Sequence, residues 1–382
     1  MCLQCKKLDL APGGPEDVDG IPAFLSKALT PPHPKSVTNA IELLVELGAM
    51  ESETNELTNL GRCLSAISLE PRVGKMVIWS HLIGCARDAS SMGIAMSYKS
   101  PFVLPPSSMR RTADNARVEL SERSESDQIT VLNALRVRDN FHNRGRPNAF
   151  FDFCRKKFLS ASTMQMIADL RRNLTRELQS LGFPSPNDSG YHTRYGDSDP
   201  AFLQAAIAAG LYPNVASRTR GEKNFSTVTN RKAKVHISSV NSCKGQPINN
   251  KCQVKDGEVE FIIFGEMTRG VSSFNMSQTS HLVSPIPILL LCGDLRVRPA
   301  IPEAGNGIGK LAVLSVDEWI TFVCAEDVAS GLVILRRRLD SAFNLLVANP
   351  SFGLNKLGTE ERDAVETLGP ILRSAHNVAP DR

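Results

Sequence analysis

Between Pro213 and Lys255 nine basic side chains, Arg218, Arg220, Lys223, Arg231, Lys232, Lys234, Lys244, Lys251 and Lys255, face a single acid, Glu222. Set among them is the polar run Lys234-Val-His-Ile-Ser-Ser-Val-Asn241. Ammonium and guanidinium groups neutralise phosphates, while imidazole, hydroxyl and amide groups on a short strand add the hydrogen bonds that fix register along a backbone. That combination suits phosphate and sugar contacts on a single strand of nucleic acid. Arg218, Lys223 and Lys234 are the candidates for phosphates, and His236, Ser238, Ser239 and Asn241 for hydrogen bonds. On charge alone a solvated basic loop fits equally well.

The net charge of the 382-residue chain is only +4, so the basic window, at +8, leaves the remainder slightly acidic. Nine cysteines, an odd number without dense pairing, read as reduced intracellular thiols. Cys2-Leu-Gln-Cys5 lacks the second pair that a zinc site needs, and His33, His81, His142, His192, His236 and His281 show no metal spacing. No Gly-x-Ser-x-Gly element is present. Gly305-Asn-Gly-Ile-Gly309-Lys310 imitates a phosphate loop, but Ala304 replaces the first glycine and Leu311 the magnesium-binding hydroxyl. No run approaches a membrane span of ~20 apolar residues, so a soluble intracellular protein, nuclear or cytoplasmic, is expected.

Several elements must hold the polar run in place. An α-rich start places Phe24, Leu25 and Ala28 on one face, with Pro31, Pro32 and Pro34 as a stop, then Val37, Ile41, Leu44 and Val45 on the next helix. Residues 71–100 and 110–182 read as helical, and Met164, Ile167, Leu170, Leu174, Leu178 and Leu181 mark the clearest stripe. Residues 184–199 form a Pro/Ser/Asp/Gly-rich linker, after which Asp199 caps a helix with Pro200 at its first position. Strand-like runs follow at Asn214–Ser217, Asn224–Val228, Val235–Val240, Val259–Glu266, Ile286–Leu291 and Leu311–Leu314, the pattern of a small barrel. A last amphipathic helix carries Leu332, Leu335, Leu339, Phe343 and Leu346 inward and Arg336-Arg337-Arg338 outward, before a loosely ordered polar tail. The expected class is α+β and multidomain.

One ordered series of residues resembles a known family. It runs from Phe24-Leu25, Ala28, Pro31-Pro32, Leu44 and Leu47-Gly48-Ala49 through Glu56-Leu57-Thr58-Asn59-Leu60-Gly61-Arg62 to Glu70-Pro71-Arg72-Val73-Gly74-Lys75-Met76. It continues with Ser100-Pro101-Phe102, Ser126-Asp127, Leu132-Asn133-Ala134, Leu211-Tyr212-Pro213-Asn214-Val215, His236, Ser238-Ser239-Val240-Asn241 and Phe264-Gly265-Glu266. The chain thereby resembles the region downstream of the motor in DEAH-box RNA helicases, most like the RNA helicase A/maleless branch. The resemblance implies a winged-helix domain at 1–72, a helical ratchet (HA2-like) domain at 73–183, the linker 184–199, an OB-fold domain at 200–330 and a C-terminal helix and tail at 331–382.

It implies work as well as layout. Ratchet and OB surfaces clamp single-stranded RNA, or the single-stranded tail of a duplex, while RecA-like motor domains in cis or trans advance along it. ATP and Mg2+ belong to that motor and no cofactor to this chain, which lacks the phosphate loop and the DEAH box; a fragment of a longer helicase is the expectation. A stand-alone RNA-binding or protein-interaction module is the other. The sequence departs from the family where Ile237 replaces a proline, Gln128 a histidine and Ser68 a proline.

Overall fold

Ser, Thr and Asp stand where helices begin because each can accept an N–H that the first turn leaves unpaired. The computed structural model describes residues 1–14, 17, 20–185, 199–219, 222–229, 232–242, 259–270, 273–300, 310–352 and 356–377. Its N-terminal part holds α1 (Cys2–Lys7), α2 (Ile21–Ser26), α3 (Pro34–Glu46) and α4 (Asn59–Ala66), with Met50 and Leu57 joined by one antiparallel bridge. Pro34, expected as part of a stop, instead opens α3, where its missing N–H is no loss. Thr58 caps α4, accepting from Gly61 N–H at 3.0 Å and donating to Gly48 O at 2.7 Å.

Six helices follow: α5 (Pro71–Ile83), α6 (Ala86–Ser97), α7 (Arg110–Ser121), α8 (Asp127–Asn143), α9 (Pro147–Lys156) and α10 (Ala161–Ser180). The stripe expected on α10 is buried at Met164, Ile167, Leu174 and Leu178. Ser68, where the family carries proline, donates its N–H to Glu177 Oε2 at 2.8 Å and its hydroxyl to Oε1 at 2.7 Å, tying the end of α4 to α10. A proline there, with neither N–H nor hydroxyl, would lose both bonds. Most of the linker, 186–198, lies outside the described residues.

Asp199 opens α11 (Pro200–Leu211), accepting from Ala201 N–H at 3.0 Å, and every residue from Ala201 to Leu211 is buried. After it come β1 (Val215–Thr219), β2 (Ala233–Val235), β3 (Val259–Arg269) and β4 (Phe274–Leu282), in the spatial order β1-β3-β4-β2. All pairs are antiparallel except β2 with β4. Then α12 (Ile286–Leu291) leads to β5 (Leu295–Pro299), β6 (Leu311–Val316) and β7 (Ile320–Ala325), a separate antiparallel sheet, and to α13 (Glu326–Ala348) and α14 (Thr359–Asn377).

The strand expectations need four corrections. Ile286–Leu291 is helical: Pro287 sits in its first turn, and a six-residue apolar run suits a buried helix as well as a buried strand. Within Asn224–Val228 only Phe225 and Ser226 form bridges. The run Val235–Val240 leaves the sheet at Val235 and turns. The strands β4, β5 and β7 were not expected, β4 because Asn275, Ser277, Gln278, Thr279, Ser280 and His281 make it polar.

The C-terminal expectations also change. Residues 359–377 are a docked helix with Ala364, Leu368 and Leu372 buried. Arg336 is buried rather than outward, because its guanidinium caps the end of α12, donating to Leu289 O at 2.8 Å and Cys292 O at 2.7 Å. No helix among the described residues is long and apolar enough to cross a membrane.

One close helix contact sets α11 against α5. A Cβ at Gly210 would stand 2.2 Å from Met76 Cβ and 2.4 Å from its Cα, so backbone rather than a flexible side-chain end fills the space. Gly210→Ala is therefore expected to lower stability by about 1–3 kcal/mol, the usual range for overpacking. Urea unfolding followed by circular dichroism checks this.

Candidate nucleic-acid interface

The polar run chosen from the sequence becomes a turn because its side chains bond back to the main chain. His236 N–H donates to Met276 O at 2.7 Å, the last main-chain bond to β4. His236 Nδ1 then accepts the Ser238 N–H at 3.2 Å and lies 2.7 Å from its hydroxyl. With Nδ1 accepting from a main-chain N–H, the neutral ring carries its proton on Nε2 and keeps a donor to offer. Val240–Ser242 closes the turn as a 3-10 helix.

One carboxylate anchors this turn. Asp127, first residue of α8, accepts Val240 N–H at 2.8 Å through one oxygen and Thr279 N–H at 2.8 Å through the other. Burial pushes its pKa up, while those two donors, the Ser239 hydroxyl and the Arg117 charge pull against that. The segment ahead of α8 adds main-chain links. Ser126 pairs with Ser280 as an antiparallel bridge, and His281 N–H donates to Glu125 O at 2.9 Å. Glu122, Arg123 and Glu125 take positive φ values of 48°, 64° and 48°, so this loop holds strained backbone where it meets the sheet.

The sequence-chosen residues divide into three groups. His236 and Ser238 line a cleft of about 450 Å³, with Ile237 between them half exposed at 50%. Ser239 and Asn241 turn inward. The Ser239 hydroxyl lies 2.7 Å from Thr279 Oγ1, and Asn241 Nδ2 donates to Glu125 O at 3.0 Å and Thr279 Oγ1 at 2.9 Å. Lys223 and Lys234 are exposed, Lys234 on β2. Arg218 is already engaged, bonded to Glu260 and lying over the Phe225 ring at 4.4 Å. Arg220, Arg231, Lys244, Lys251 and Lys255 lie outside the described residues.

The opposite wall comes from the helical part. Met92 and Met96 of α6, Tyr98 and Phe102 of the loop after it, Arg110 and Arg117 of α7 and Gln128 of α8 line the same cleft. Arg117 donates to Ser238 O and lies over the Phe102 ring at 4.5 Å, which ties the wall to the turn. Gln128, at the family's histidine position, donates to Gln278 O at 2.6 Å and accepts from the Ser126 hydroxyl at 3.1 Å, so it still bridges the two parts. Sequence reasoning did not single out Arg110 or Arg117 as site candidates. The available signal was Ser100-Pro101-Phe102 and Ser126-Asp127, whose positions in the ordered series bracket α7.

The comparisons fit this architecture. Residues 70–131 match the helicase associated domain (HA2), ratchet-like, and residues 203–295 match the oligonucleotide/oligosaccharide-binding (OB)-fold, so the cleft lies where the two matched regions meet. The chain belongs with the C-terminal regions of DEAH-box RNA helicases. It is 29% identical over 377 residues to the DExH-box ATP-dependent RNA helicase DExH1 of Arabidopsis thaliana, covering 98% of this chain and 34% of that protein. The ATP-dependent RNA helicase DHX29 of Mus musculus is 28% identical over 389 residues, with coverages of 99% and 26%. The ATP-dependent DNA/RNA helicase DHX36 of Mus musculus is 30% identical over 355 residues, with coverages of 92% and 33%. The chain thus spans about a quarter to a third of the length of these relatives.

Behind the turn, His281 sits between two carboxylates, with Nδ1 at 3.2 Å from Glu125 and Nε2 at 3.4 Å from Glu260. Burial works against its charge, but the two acids overcome this and its pKa is raised above 6.5. Burial likewise opposes Glu260, whose bonds from His281 and Arg218 nevertheless hold it down at about 2. A raised histidine contributes stability that is complete below its unfolded value of 6.5 and is lost as pH climbs through the folded value. Melting temperature is therefore expected to fall as pH rises above 6.5, and His281→Gln should flatten that alkaline loss in a thermal-shift series.

Proposed function

We propose that this chain grips single-stranded RNA in the cleft between the ratchet helices and the OB-side turn, on behalf of a RecA-type motor. The observation that carries the reading is the meeting of Arg110 and Arg117 with His236 and Ser238 around one cleft of about 450 Å³. Guanidinium groups supply attraction to phosphates, and the His236 Nε2 proton with the Ser238 hydroxyl supplies directed bonds to phosphate or ribose oxygens. Tyr98 and Phe102 give apolar surface for a base. Such contacts tolerate any sequence, which suits a grip that must release and rebind as a strand moves.

The sequence candidates take refined parts in this reading. His236 and Ser238 make contact, while Ser239 and Asn241 hold the turn from behind. Lys223 and Lys234 attract the strand from the exposed β side, and Arg218 orders β1 through Glu260. Residues 1–72 form a winged-helix domain, 73–183 the ratchet and 200–330 the OB-fold domain. ATP and Mg2+ act on the RecA-like motor, in cis or in trans, and the strand is single-stranded RNA or the tail of a duplex.

The test is binding of a fluorescent oligonucleotide by the full chain at several salt concentrations. His236→Ala with Ser238→Ala should weaken single-stranded RNA binding about thirtyfold with little change in melting temperature, from the loss of two hydrogen bonds worth about 1 kcal/mol each. Wild-type binding should also weaken steeply with salt, by about 0.7 in logarithmic slope per phosphate neutralised. Unchanged affinity in the double variant removes the site. Absence of salt-dependent binding favours a protein-interaction module instead.

A further inference from the structure

The tip between α8 and α9 and the last turn of α9 carry charge that the cleft does not use. Over residues 142–156 the cations Arg144, Arg146, Arg155 and Lys156 meet one acid, Asp152, and Arg155 takes it at 2.6 Å. Arg144, Arg146 and Lys156 are exposed, and none has an acid partner among the described residues. Elsewhere on these helices the cations are matched: Arg136 with Asp88, Arg138 with Asp139 and Lys157 with Glu119. The imbalance is local to the tip.

The tip is also held in shape. Gly145, at φ 61°, lets the chain reverse between the two arginines, with Gly145 N–H donating to His142 O at 3.0 Å and Arg146 N–H to Phe141 O at 3.0 Å. In the second turn of α9 Phe151 is 58% exposed, its ring centroid 5.8 Å from that of Phe150. A phenyl ring left in water beside unpaired cations is poor material for a solvated face, since its apolar area gains nothing there. It is suitable material for a stacking platform flanked by phosphate contacts.

We propose that the α8–α9 hairpin, from its tip along the exposed side of α9, is a second contact for single-stranded RNA, with Arg144, Arg146 and Lys156 on phosphates and Phe151 against a base. The 17 residues of α8 put the tip about 25 Å from Asp127 at the helical rise, so it lies beyond the cleft but within reach of a strand leaving it. That path rests on the cleft reading above; the contact itself does not.

The full chain is titrated into a labelled single-stranded RNA of about 20 nucleotides across a salt series, alongside two sets of tip variants and the cleft variant His236→Ala/Ser238→Ala. Arg144→Ala/Arg146→Ala/Lys156→Ala should weaken binding about tenfold near 0.1 M salt and lower the logarithmic salt slope by about 2. Phe151→Ala should weaken binding about tenfold with the slope unchanged, because stacking releases no counterions. All these side chains are exposed, so melting temperatures should match wild type. If both tip variants bind as wild type while the cleft variant is weakened, this proposal is overturned and the cleft stands. Weakening in the tip variants alone upholds the tip and overturns the cleft, and a wild-type chain that binds no RNA overturns both.

Discussion

The arrangement depends on one buried carboxylate shared between two main-chain donors on different segments. Asp127 belongs to the helical part, while Val240 and Thr279, whose N–H groups it accepts at 2.8 Å each, belong to the sheet and its turn. A buried N–H left without an acceptor costs about 1–3 kcal/mol, so the two donors can stay inside only while the carboxylate stays between them. That requirement fixes how α7 and α8 sit against the turn, and so fixes the cleft. The Ser126–Ser280 bridge and the Glu125–His281 contact follow from the same docking, continuing the pairing of β4 beyond the point where β2 ends.

A second constraint keeps that docking from shifting. Buried on all sides, α11 lies against α5 with Gly210 on the Met76 backbone, so the helical part and the OB part share a core. From the other side, α14 reaches back to the start of α11, where Arg373 pairs with Asp199 at 2.7 Å and lies over Phe202 at 5.2 Å. Arg336 performs a similar service for α12. Charges that look like surface decoration in the sequence are here structural caps, and this changes what the basic content means. Most of the cations left for a ligand are those that no carbonyl or carboxylate has claimed, and Arg117, which donates to Ser238 O, keeps further N–H groups to offer.

The helix start at Asp199 and the Met164–Leu178 stripe were legible in the sequence because their signals are local and need no distant partner to declare themselves. Polar strands were not, because β4 owes its conformation to β3 rather than to its own residue types. Ile286–Leu291 was misread for the matching reason, a run too short and too uniformly apolar to choose between helix and strand. At the site, His236 and Ser238 were legible as a polar pair beside positive charge. Their neighbours Arg117 and Gln128 were not, since more than a hundred residues of chain separate them from the turn, and only the ordered family series hinted that they belong together. Ser239 and Asn241 have the same chemistry as Ser238, and only the fold shows that they face inward.

The most direct measurement of the cleft is amide hydrogen exchange on the full chain with and without single-stranded RNA. Because one carboxylate joins the two walls, the strand should slow exchange together in residues 98–117 and 236–241, with α11 unchanged. Slowing confined to one wall, or to neither, would contradict a grip formed between them.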